Sequence, residues 1–261
     1  MKANVLLLLF LFGLSFGLSQ TQKGFGLYGS LRFGPHAVGF KQIKFEAKGL
    51  DGAREIQISL WYPAVESPDK LFFKDYLTYD TDRDDTALVQ LLSTSIGGKA
   101  NLFDSDSLRQ ILYAKMKASP EAHPSFGKFP LLLWSPRYGT LEYQNFIAEY
   151  LASHAYVIAF AEDVPNSSFP WQIQSPEHKK EVLAEQVDLL KSAVSYLKLQ
   201  DNIDSSKIGL ISWSYAGESA LLTQMECPEI DLVIGLSAIS FSSGVYLGGD
   251  LKEEIHLDKL S

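Results

Sequence analysis

Cysteine is almost absent from this chain: Cys227 is the single thiol among 261 residues. One thiol cannot close an internal disulfide, so the fold must rest on its core and not on cross-links. Histidine is scarce too, and the five present, His36, His123, His154, His178 and His256, never fall in a His-x-x-x-His pair. With Cys-x-x-Cys also missing, no metal-ligand spacing is legible, and the lack of a glycine-rich phosphate loop leaves no cofactor implied. The acidic group Asp80, Asp82, Asp84 and Asp85 lacks the glycine and closing glutamate of a calcium loop and reads as a solvated turn. Basic residues are outnumbered, 23 against 31 acidic, for a formal charge of -8. That sign opposes the phosphate attraction on which nucleic-acid binding depends.

What is present begins with one long apolar run. After Met1-Lys2-Ala3-Asn4, residues Val5 to Leu18 are apolar apart from Gly13, Ser15 and Gly17. A charged start followed by a stretch too short for a membrane span of about 20 residues is the pattern of a signal peptide. Gly17-Leu18-Ser19 places small residues before a cut, so cleavage is expected after Ser19. The mature chain would then start at Gln20 outside the cytoplasm, secreted or periplasmic, with no stable membrane span. An uncleaved signal anchor is the alternative.

Residues 20–261 read as one domain, large enough to bury a single core. Ala37 to Phe45 and Glu55 to Tyr62 suggest two strands around an Asp51-Gly52 turn, the second with Ile56, Ile58 and Leu60 on one face. From about Asp82 to Lys128 strand-like runs are missing, while Leu88, Leu91, Leu108, Ile111, Leu112 and Met116 fall at helical spacings. A helical insertion is expected there, either covering a site or packing as decoration.

Beyond it, short apolar runs alternate with amphipathic helices. Phe129–Trp134, Ala155–Ala161, Lys207–Ile211 and Asp231–Leu236 read as buried strands. Tyr143–Ser153, a long segment opening at Ser175-Pro176, and Tyr215–Met225 read as helices. Ser175 suits an N-cap and Pro176 the first helical position, while Leu183, Val187, Leu190, Val194 and Leu197 form a stripe. This alternation predicts an α/β fold: a mostly parallel sheet with helices on both faces and an antiparallel hairpin at its start.

Between the strand ending near Ile211 and its helix stands Ser212-Trp213-Ser214-Tyr215-Ala216-Gly217. A nucleophile elbow needs a sharp strand-to-helix turn with small residues two before and two after the serine. Ser212 and Ala216 meet that need without being glycine. Ser214 would project above the carboxyl edge of the sheet, with the Tyr215 N–H beside it as an oxyanion donor. A second donor is expected from Ser135-Pro136-Arg137-Tyr138-Gly139-Thr140, with Tyr138 the candidate. The alternative for Ser214 is a helix cap without reactivity.

Together the stretch from Gly39 through Leu60-Trp61-Tyr62-Pro63-Ala64, Trp134 to Gly139, Leu151 to Val157 and the elbow resembles dienelactone hydrolase and platelet-activating-factor acetylhydrolase-like members of the α/β-hydrolase superfamily. The resemblance covers most of residues 37 to 238. It implies a serine hydrolase of carboxylic esters, of esterase, lipase or acetylhydrolase type, acting on a small-molecule or lipid ester. Ser214 would be the nucleophile, with Tyr215 and Tyr138 as backbone oxyanion donors.

The rest of a triad is harder to find. Chain order in this fold is serine, acid, histidine. Where acetylhydrolase-like relatives carry a Leu-Asp pair, this chain has Leu236-Ser237. Only His256 follows Ser214, in a polar tail near Asp250 and Asp258, and His154 at a helix end is structurally ordinary. The chain stops about where a family member would still have two strands and a helix to come, so a C-terminally incomplete version of the fold is expected. Two functions follow: an exported ester hydrolase, its acyl pocket lined by Phe169, Trp171, Trp213 and Tyr215 unless these are core residues, or an inactive or truncated homologue that binds a hydrophobic ligand or partner.

Overall fold

A computed structural model describes residues 27–50, 52–77, 84–95, 104–135, 144–163, 175–213 and 216–236. The expected signal peptide, 1–19, lies outside the described residues. Strands β1 (Ala37–Gly49) and β2 (Gly52–Ala64) pair antiparallel from Gly49↔Gly52 to Ala37↔Ala64, a longer hairpin than hydrophobic alternation alone marks out. Gly52 turns with φ +127°, a conformation that favours glycine.

Helices α1 (Asp85–Ser95) and α2 (Ser105–Leu112) then precede the short strand β3 (Ala118–Pro120). The expectation of an insertion without strands is corrected here, because β3 lies beside β1 in parallel register. Met116 is corrected as well. The helix ends at Leu112, and the Met116 N–H instead donates to the Leu71 carbonyl at 2.8 Å while the Leu71 N–H donates to Ala118 at 3.0 Å. Asp84 accepts from the Ala87 N–H at 2.8 Å, and Asp85 from the Tyr113 hydroxyl, so these two acids serve α1 and its neighbour.

The remaining elements are β4 (Phe129–Trp134), α3 (Asn145–Ser153), β5 (Val157–Asp163), α4 (Pro176–Leu197), β6 (Ile203–Trp213), α5 (Ala216–Glu226) and β7 (Ile230–Leu236). Strand β5 starts later than the apolar run suggests, because Ala155 occupies a left-handed turn at φ +70°. Strand β6 starts earlier. Its polar Asp204 to Lys207 stretch forms a bulge, with the register stepping from Pro130↔Asp204 to Leu131↔Ile208. Helix α4 is capped as Ser175-Pro176 implies, with the Ser175 hydroxyl accepting from the His178 N–H at 3.1 Å.

The sheet runs β3-β1-β2-β5-β4-β6-β7. Only the β1–β2 and β2–β5 pairings are antiparallel among the described strands; β4, β5, β6 and β7 point the same way. Alternate residues feed two cores. Ile58, Leu60, Leu131, Leu133, Ala159 and Leu210 meet Leu190, Ala193, Val194 and Leu197 of α4 and Ala220 of α5. On the opposite face Trp61, Leu132, Trp134, Ile158 and Phe160 meet α3, α1, α2 and the turn at Phe73–Tyr76. Each such buried large side chain contributes about 1.5–3 kcal/mol. No helix among the described residues is long and apolar enough to cross a membrane.

One polar cluster ties that second face together. The carboxylate of Glu149 on α3 is fully buried. Its Oε1 accepts from the Tyr76 hydroxyl at 2.6 Å and the Ala118 N–H at 3.1 Å; its Oε2 accepts from the Tyr28 hydroxyl and from the Lys117 N–H at 3.1 Å. Trp61 Nε1 donates in turn to Tyr76 at 3.1 Å. Burial pushes the Glu149 carboxyl up, and the donors pull against it. Both tyrosine hydroxyls are pushed well above their ordinary range by burial and the adjacent carboxylate.

Candidate active site

The carboxyl ends of β4 and β6 lie side by side, yet the helices that follow them leave on opposite faces. Helix α3, after β4, joins the core with Trp61 and Phe160; α5, after β6, joins the core with Leu131 and Leu210. Such a divergence opens a crevice at the sheet edge, where ligands of open α/β folds bind. In the sequence, residues 136–143 follow β4 and residues 214–215 follow β6, and both segments lie outside the described residues.

The end of β6 and the start of α5 are both closely packed. Ser212 is wholly buried on β6, and its hydroxyl lies 3.4 Å from the Ile234 carbonyl of β7. On α5, Ala216, Gly217, Glu218, Ser219 and Ala220 are all buried. Bulk at Ser212 or Ala216 would push strand and helix apart. Lower on the strand, a Cβ added to Gly209 would stand 2.9 Å from Leu132 Cδ2, which keeps β6 tight against its neighbours.

The end of β4 is bound to the start of α5. The Ser135 N–H donates to the Ile211 carbonyl at 2.7 Å. Its hydroxyl, fully buried, stands 3.0 Å from Ser219 Oγ and 3.3 Å from the Ala216 carbonyl, and Ser219 Oγ donates to that carbonyl at 3.0 Å. A third tie is ionic: Lys179 Nζ on the first turn of α4 lies 3.0 Å from Glu218 Oε2 on the first turn of α5. None of these three ties stood out in the sequence.

Of the residues singled out from the sequence, Ser214, Tyr215, Tyr138, Phe169, Trp171 and His256 lie outside the described residues, as do Asp250 and Asp258. Trp213 is described. It ends β6 opposite Leu236 and is 45% exposed, so it belongs to the carboxyl edge and not to the core. The histidines divide by edge. His36 packs on Phe129 at the start of β4, with ring centres 5.7 Å apart. His154 follows α3, its Nδ1 2.9 Å from the Tyr150 carbonyl and 3.1 Å from Ser153 Oγ. The His123 carbonyl accepts from Val65, just beyond β2. These three sit at the amino edge of the parallel strands. Among the described residues only His178, next to Lys179, stands at the carboxyl edge. Chain order sets His178 aside as a base; its place in the fold does not. No group of three or more metal-ligating side chains occurs among the described residues.

Comparison with known proteins bears on the fold. No protein-family model matches the chain, and no curated protein sequence does. Among solved structures it is similar to a ferulic acid esterase from Streptomyces cinnamoneus, with a TM-score of 0.54 and 19% identity over 77% of this chain and 58% of that one. A hypothetical protein from Pseudomonas aeruginosa gives a TM-score of 0.43 at 13% identity, over 93% of this chain and 54% of that one. A bacterial heroin esterase gives 0.39 at 17%, over 77% and 43%. The chain therefore spans a little over half the length of the first of these. At such identities it is the fold that is shared, and the chain has the α/β-hydrolase fold.

Proposed function

We propose that this α/β-hydrolase-fold chain hydrolyses carboxylic esters of small molecules or lipids, with Ser214 as nucleophile, and that residues 1–19 export it. The observation that carries the reading is the buried chain of hydrogen bonds that links the Ser135 and Ser219 hydroxyls to the Ala216 carbonyl. It anchors the segment that would supply one oxyanion donor directly to the helix behind the nucleophile. Preorganised donors aimed at developing charge are the largest single contribution in acyl transfer.

In that reading Ser214 Oγ attacks the ester carbonyl as a histidine takes its proton. The Tyr215 and Tyr138 N–H groups stabilise the resulting oxyanion, the alkoxide departs with the histidine's proton, and water then releases the acid. Two histidines qualify as base, on different grounds: His256 by chain order and His178 by its place at the carboxyl edge. Trp213 would line the acyl side of the crevice.

The test is turnover of a p-nitrophenyl ester series together with fluorophosphonate labelling, for the parent protein and for Ser214→Ala, His256→Gln and His178→Gln. Ser214→Ala is expected to remove labelling and to cut turnover by at least about a hundredfold, and one of the two histidine changes should match it. Turnover indifferent to Ser214→Ala, with no labelling of the parent, would replace this reading with a fold that binds a hydrophobic ligand in the same crevice.

A further inference from the structure

The face that α4 turns to the sheet is apolar along most of its length, with Leu183, Val187, Leu190, Val194 and Leu197 all buried. One turn before Leu183 the same stripe carries Lys179, whose side chain is only 8% exposed; that of its partner Glu218 is 7% exposed. Lysine is almost never fully buried unless paired. Nor does its own helix favour it, because an ammonium in a first turn faces the positive end of the helix dipole. Glu218, in the first turn of α5, sits where that dipole favours a carboxylate. The charges are in contact at 3.0 Å, although Nζ makes no well-aligned hydrogen bond. The tie is therefore one of charge and tolerates some change of geometry.

A buried ion pair is a poor way to gain stability, since apolar residues of similar volume often hold a core as well or better. What the pair gives is a fixed relation between two parts. Here those parts are the long, well-packed α4 and the first turn of α5, four residues beyond Ser214. We infer that Lys179 and Glu218 are a positioning pair for the elbow: they lock the start of α5 in one rotation and height against α4, and so fix where the Ser214 hydroxyl and the Tyr215 N–H are presented. This rests on the reading of Ser214 as nucleophile. Neither residue touches the reacting atoms.

The test uses the full chain and four variants: Lys179→Met, Glu218→Gln, the charge-swapped Lys179→Glu with Glu218→Lys, and the conservative Lys179→Arg. Amide hydrogen exchange of α5 is compared with that of Leu131–Leu133 in β4, and fluorophosphonate labelling rates are taken with Ser214→Ala as the blank. Each neutralising change is expected to speed α5 exchange by about tenfold or more while β4 is unmoved, and to slow labelling by a similar factor. The swap and Lys179→Arg should restore both to within about threefold. Exchange that rises equally in β4 and α5, or that stays put in α5, overturns the inference, as does a swap no better than the single changes. Should a neutralised protein fail to fold, the swap and Lys179→Arg still decide through the same exchange comparison. If the parent is not labelled at Ser214, the hydrolase reading falls while the exchange data still test the positioning.

Discussion

Replacing Glu149 by glutamine tests whether the buried carboxylate on α3 fastens the second face of the sheet. Four donors converge on it: Tyr76 and the Ala118 N–H on one oxygen, Tyr28 and the Lys117 N–H on the other. Glutamine fits the same space but keeps only one oxygen, so its amide nitrogen must face two donors. The Lys117 N–H keeps the Tyr28 hydroxyl as a second acceptor at 3.0 Å, and a tyrosine hydroxyl can turn to accept from the amide, so one donor at most is left unsatisfied, at about 1–3 kcal/mol. Removing a buried carboxyl recovers part of that, so the expected loss is about 1–2 kcal/mol. For a domain of this size that lowers Tm by roughly 2–8 °C. Urea unfolding followed by tryptophan emission, with the slope held common to both proteins, measures it.

The loss should depend on pH with a definite sign. Burial, the largest influence on Glu149, raises its carboxyl above the ordinary 4.5. A carboxyl raised on folding holds its proton more tightly in the folded state. Its contribution is complete below the unfolded value and is lost as pH rises through the raised one. Glutamine does not titrate, so the gap between parent and Glu149→Gln should be widest in mild acid and narrow toward alkaline pH. A loss under about 1 kcal/mol in mild acid, or a gap that widens with pH, would refute the reasoning.

Gly34→Ala is expected to cost about 1–3 kcal/mol, because the new Cβ would stand 2.1 Å from the Ser153 carbonyl oxygen, a backbone atom that cannot swing aside; thermal unfolding measures it. Asp204 is held down to about 2 by hydrogen bonds from Ser206 and Lys207, below an ordinary 3.8. The advantage of the parent over Asp204→Asn should accordingly be present above pH 4 and vanish as pH falls through about 2, which acid titration of the two proteins checks. Exported protein should begin at Gln20, and N-terminal sequencing that returns Met1 would count against cleavage after Ser19.

Hydrophobic pattern made the sheet legible wherever the strand interior is apolar. Ile56, Ile58 and Leu60 alternate and are buried on one face, and Phe129–Trp134 stands where its composition placed it. The pattern failed where polar backbone pairing, and not burial, makes the strand. Asp204 to Lys207 belong to β6 because the bulge lets a polar run stay in register, and Ala118–Pro120 is a strand because β1 offers it a partner. Met116 fell at a helical spacing by accident of sequence, since tertiary pairing with Leu71 outweighs local propensity there.

The candidate site was legible only as a local sequence pattern, for a related reason. A strand, two small residues and a helix identify the place where a nucleophile would stand, but what holds that place still is polar and long-range. Ser135 and Ser219 are 84 positions apart, and no local pattern pairs them. A usable signal did exist in the helices. Asn145, Ala148, Glu149 and Ala152 lie at steps of three, one and three, so Glu149 occupies the buried stripe of α3. Lys179 likewise heads the stripe that continues through Leu183, Val187 and Leu190. A charge inside an otherwise apolar stripe must find a partner or a pair of donors, because leaving it alone in a core is too costly for a fold of marginal stability. Each of these two helices thus announces a buried polar contact through the spacing of its residues. Glu149 meets its partners on the face away from α5 and fastens the insertion, whereas Lys179 meets Glu218 one turn beyond Ser214. On the proposed reading of Ser214 as nucleophile, position relative to that residue, and not the presence of charge, is what separates a clamp for the fold from a support for the chemistry.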